Sequence, residues 1–133
     1  MDAVLQRISR RISADGAHAL PDADKLIWNT AIVIALMTGD TRIALPPGAE
    51  IGSWGAARAG LREMALPQAA ELVRLLVLEL AYRADLGGRD REAGMASLLR
   101  IADLKQRFQE IAAEVDITVK FRTMMEHLLE RRS

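Results

Sequence analysis

The pattern of apolar and polar positions reads as helix along most of the chain. Val4, Leu5, Ile8 and Ile12 fall on one stripe of a helix over 2–13, with the arginines facing away. Residues 14–20 carry Gly16 and run into Pro21, so they read as a linker. A second helix starts near Pro21, because proline suits the first turn and Asp22 and Asp24 suit the positive end of the helix dipole. From 31 to 37 no polar residue appears on any face, which places this helix at the centre of a bundle. Thr38-Gly39-Asp40 ends it. Residues 41–52, built around Pro46-Pro47-Gly48, read first as an ordered loop and second as a small β-hairpin. Ser53 is the N-cap expected for a short helix over 54–65, and Pro67 opens the next, over 68–85. There Leu72, Val73, Leu75, Leu76, Val77, Leu78 and Leu80 cover most of the circumference. That distribution predicts a second central helix. Gly87-Gly88 ends it, and Asp90 caps the last helix.

The last third, from 90 to 131, holds no proline and one glycine, Gly94. Read as one helix it is roughly 60 Å long, twice the ~30 Å span of a small domain. With Ile101 as a heptad a position, the a and d sites hold Ile101, Leu104, Phe108, Ile111, Val115, Thr118, Arg122, Met125 and Leu129. The apolar members, Ile101, Leu104, Phe108, Ile111, Val115, Met125 and Leu129, form a candidate seam for self-association or a protein partner. Beyond Val115 the apolar face widens to Ile117, Phe121, Met124 and Leu128, which implies two packing environments on one helix. Residues 115–121 alternate strictly and are rich in β-branched side chains, a strand signature. The helical flanks favour helix throughout, with any break falling near Asp116. Asp103–Arg107, Asp116–Lys120 and Arg122–Glu126 have the spacing of helical ion pairs, at ~0.2–0.5 kcal/mol each. The expected architecture is all-α: a single helical domain over 1–133, a bundle of about five helices. Within it, 1–20 form an amphipathic helix and linker, and 89–133 a long C-terminal helix for association.

Composition narrows the function classes. With 133 residues, 50% hydrophobic and 27% charged, the chain is globular and long enough for one real core. Its 18 basic and 18 acidic residues cancel, and no segment is strongly biased. A nucleic-acid binder usually carries a basic excess, so that partner is disfavoured. Arg7, Arg10 and Arg11 are nevertheless the densest basic cluster and the candidate nucleic-acid contact. The helices within 54–80 loosely suggest a helix-turn-helix, but the second is too apolar to reach base edges. There is no cysteine, which removes disulfides, thiolate metal sites and cysteine nucleophiles and fits a reducing compartment. No apolar run is long enough to span a bilayer and no secretory signal is visible, so the expected location is cytoplasmic, with no membrane partner.

Catalytic chemistry is sparse. His18 lies in the first linker, and His127 lacks the preceding carboxylate of a di-iron Glu-x-x-His pattern, since positions 123 and 124 are Thr and Met. Glu110 with Glu114, and Glu126 with Glu130, share helical faces among cations, as solvated carboxylates do. Glu71 and Glu79 lie on the apolar fourth helix with Arg74 and Arg83 as local partners. No phosphate-binding glycine loop is present, Gly52-Ser53-Trp54-Gly55 lacks the hydrolase-elbow spacing, and Trp28 and Trp54 read as core. No catalytic, cofactor-binding or metal residues and no cofactor are expected. The sequence points to a non-enzymatic helical adaptor, regulatory or structural protein acting through self-association and partner binding. A small DNA-binding regulator is the alternative, and an enzyme or small-molecule-binding protein with a pocket between the central helices comes third.

Overall fold

A computed structural model describes residues 2–40 and 42–132, with the side chain of residue 132 outside the description. The described residues are mostly helical and contain no strand. α1 (Ala3–Asp15) starts at Asp2, whose carboxylate accepts the Val4 N–H at 2.9 Å, and ends at Gly16. A single 3₁₀ turn, Ala17–Ala19, carries the chain to Pro21. α2 (Asp22–Thr38) ends on Gly39 in the left-handed conformation. α3 (Trp54–Glu63) is capped by Ser53, which accepts the Ala56 N–H at 3.0 Å. α4 (Pro67–Leu86) begins on Pro67 at the position that lacks a helical N–H partner anyway. α5 (Arg91–Val115) is capped by Asp90, which accepts the Ala93 N–H at 3.0 Å. α6 (Ile117–Arg132) closes the chain. The expected caps at Ser53 and Asp90 and the proline start at Pro67 are all present.

The apolar circumference of α2 decides the architecture. Ile27, Trp28, Ala31, Ile32, Val33, Ile34 and Met37 are all buried, so neighbours stand around most of the helix, and Leu36, 45% exposed, marks the side left open. α1, α3, α5 and α6 supply them. The closest approach is to α3, where a methyl on Gly60 would overlap the Thr30 hydroxyl. Residues 42–53 are loop, so no hairpin forms among the described residues; Thr41, where that expectation began, lies outside them. Asn29 holds the far end of the loop: its Oδ1 accepts the Gly52 and Ser53 N–H groups, both at 2.8 Å. The Trp28 indole N–H donates to the Glu50 carbonyl at 3.1 Å.

Two sequence expectations are corrected. The C-terminal third is not one 60 Å helix. Asp116 adopts φ 48°, ψ 73°, breaking the rod into α5 and α6. The β-branched run around it weakens helix propagation, and aspartate tolerates the left-handed region better than most residues. The break folds α6 back, so the candidate seam becomes interior. Phe108, Leu104 and Met125 are buried, and Ile101, Ile111, Val115 and Leu129 are half-buried against the same core. Ile117, Phe121, Met124 and Leu128 are buried from α6, so the two packing environments belong to two helices. Replacing Phe108 and Ile111 with polar residues should therefore lower the melting temperature sharply, because truncating a buried Phe alone costs about 3–5 kcal/mol, and thermal unfolding followed by circular dichroism checks it.

The second correction concerns α4. It is not a central helix: it packs in an outer layer on α3 and α5. Its buried residues, Ala69, Ala70, Leu72, Val73 and Leu76, all lie in its first half.

Two substitutions in α3 and its exit should have opposite signs. Gly60→Ala gains ~1 kcal/mol of helix propensity but forces α2 and α3 apart, at about 1–3 kcal/mol. Its melting temperature should fall, and Thr30→Ala in the same chain should return part of the loss. Ala65, at φ 59°, carries the left-handed turn between α3 and α4. Ala65→Gly should raise the melting temperature, by up to about 1 kcal/mol of stability. Thermal unfolding followed by circular dichroism measures both.

Candidate functional site

The second half of α4 and the first half of α5 form a helical hairpin that outruns the core. Among the described residues, Ser97 alone is buried between 77 and 103. The apolar side chains on this overhang are left bare: Leu99 is 70% exposed, and Leu78, Leu80, Tyr82, Met95 and Leu98 are 39–57% exposed. Monomeric proteins seldom leave large apolar side chains clustered in this way, and such patches mark contacts with other molecules.

Between the two helices runs a groove of about 520 Å³, lined by Leu75, Leu78, Leu99 and Leu104 with Glu79, Arg100, Asp103 and Arg107 on its rims. It meets a second hollow that shares Leu75 and Arg107 and carries Glu71, Glu110 and Glu114. Leu75, Leu78 and Tyr82 recur at helical spacing on α4, so the apolar stripe continues past the groove toward the tip.

Charged groups fasten the hairpin together. Arg100 pairs with Glu79 across the helices at 2.8 Å, and its guanidinium lies 5.5 Å from the centre of the Tyr82 ring. Arg83 donates to the Gly94 carbonyl at 2.9 Å and acts on Glu79 through its charge, while the direct ion pair goes to Arg100. The Arg100 hydrogen bond holds the Glu79 carboxyl below its usual pKa. Asp103 and Arg107 pair along α5 at 3.8 Å, as expected. Asp116 instead meets Arg42 at 3.6 Å, and Arg122 meets Asp2 at 3.2 Å, because the break at Asp116 turns these side chains toward other elements.

The arginine cluster proposed for nucleic acid has an internal role. Asp24 is fully buried on α2, and Arg7 and Arg11 each reach its carboxylate at 3.4 Å. A buried carboxylate needs such partners to offset its lost hydration. The third candidate, Arg10, is exposed and does not reach Asp24. The structure does not bring the remaining carboxylates into a reaction centre. Glu71 pairs with Arg74 at 2.5 Å on the surface, and Glu110 and Glu114 border the second hollow. His127 is exposed beside a shallow hollow with Lys120 and Arg131. Among the described residues, no three histidine or carboxylate side chains cluster as a metal site.

No family model, curated protein or solved structure matches the chain. The overhanging hairpin is the surface that sequence reasoning missed. Its leucines were visible, but spacing along a helix does not reveal where the core beneath it stops.

The Glu79–Arg100 pair sets a pH response. Glu79 has a lower pKa folded than unfolded, so its stabilisation is complete above the unfolded glutamate value of ~4.3 and is lost as pH falls through the folded value. Protection of the amides in 77–86, corrected for intrinsic exchange, should therefore fall below about pH 4.3 more than protection in α2 does. Glu79→Gln should remove that difference, and an unchanged pH response in the variant would discount the pair.

Proposed function

We propose that this protein is a non-enzymatic association module whose working surface is the overhanging α4–α5 hairpin, binding another helical protein surface. The observation that carries this reading is the exposed pair Leu78 and Leu99, which line one groove, with Tyr82 a turn beyond Leu78 and Met95 a turn before Leu99, on a hairpin tied by the Glu79–Arg100 ion pair. A packed pair of helices with an apolar groove between them is a rigid platform for a helix or a second hairpin. The chemistry of the groove supports the same reading. Its carboxylates are matched by arginines, and Glu79 is held ionised, the opposite of the raised pKa that a general acid needs near neutral pH.

The helical seam is thus relocated: association through helices stands as the proposal, but through the outer faces of α4 and α5 rather than through Phe108 and its neighbours. Cytoplasmic residence belongs to the same proposal; none of the described helices is long and apolar enough to cross a membrane.

Chemical cross-linking in the protein's own cells tests the reading. The native chain should enter discrete higher-mass species, and Leu78→Lys with Leu99→Lys should abolish them while leaving the protein abundant and helical. Identical cross-linked species from both proteins would refute a role for the hairpin.

A further inference from the structure

We infer that the occupant of the α4–α5 surface is a second copy of this chain, paired about a two-fold axis into a four-helix arrangement of two α4 and two α5. This inference rests on the association reading above and specifies its partner.

Three features point to self-pairing. The first is shape. A two-fold contact requires one surface to hold both a protrusion and the hollow that receives it. Leu99, 70% exposed, forms one wall of the groove that Leu75, Leu78 and Leu104 also line, so the same surface offers an exposed apolar side chain and the hollow beside it, and each copy can set its Leu99 against the other's groove. The second is charge. From 79 to 100 the hairpin carries Arg83, Arg89, Arg91 and Arg100 against Glu79, Asp85, Asp90 and Glu92, four of each sign. A surface of one sign repels its own copy and selects an oppositely charged foreign partner, whereas a balanced surface lets two copies meet. The third is area. Two adjacent helices, each about 10 Å wide, give from 72 to 86 a footprint roughly 20 Å by 22 Å on each copy. The corrugated accessible surface buried from two such faces is on the order of 1,000 Å², the lower size of a specific contact.

The purified full chain, examined by size exclusion with light scattering across the micromolar range, decides the matter. The expected mass is twice the chain's 14.6 kDa. Leu99→Lys and Leu78→Lys, both at exposed sites, should keep native helical circular dichroism and weaken the dimer by about tenfold or more each. A monomer at every concentration overturns the homodimer. If the native chain still forms Leu99-dependent cross-linked species in cells, the partner is foreign and only the self-pairing fails. A dimer indifferent to both substitutions also overturns the inference, because its interface then lies elsewhere.

Discussion

The burial of α2 is the constraint on which the other elements depend. A helix with so much apolar circumference cannot rest on a surface; it must be enclosed on nearly every side, and only Leu36 near its end stays largely open. Its 17 residues, about 25 Å long, set the height of the core that can be built around it. α4 and α5, with 20 and 25 residues, are about 30 Å and 37 Å long. Their surplus length has no core to cover it. The overhanging hairpin is thus the geometric remainder of packing long helices against a short axis, and its leucines are exposed for that reason.

The few polar groups of α2 act as addresses for its neighbours. Asp24 orders α1 through Arg7 and Arg11, Asn29 fixes the entry to α3, and Thr30 meets Gly60 where the two helices nearly touch. At the far end, the Met37 carbonyl accepts a hydrogen bond from Gln109 of α5 at 3.1 Å. Hydrophobic burial alone lets helices slide or rotate about α2, since apolar packing is not directional. These polar contacts give α1, α3 and α5 one preferred register each.

Much of this was legible in the sequence, and the failures share a cause. Ser53, Pro67 and Asp90 announced their helices because capping is local chemistry. The all-apolar stretch of α2 announced the centre for the same reason. Phe108 and Leu104 were correctly read as needing cover, but periodicity along one helix does not say which helix provides it. The alternating, β-branched residues around Asp116 signalled a weak point in the helix. The turn needed no glycine because aspartate accepted the left-handed conformation. The pairing of Arg7 and Arg11 with Asp24, and the bare second half of α4, depend on where distant elements end, and neither carries a local sequence signal.

The return of α6 onto α2 has a bearing on how the protein is made. α6 contributes Ile117, Phe121, Met124, Met125 and Leu128 to the core, so one flank of α2 has no cover until residues 117–128 exist. During synthesis, the chain must carry its most apolar helix with that flank open while some eighty further residues are added. Nascent chains of this kind are exposed to aggregation and to capture by chaperones. Completion of the fold is tied to the arrival of its last helix, and release of α2 from that exposure comes late rather than gradually.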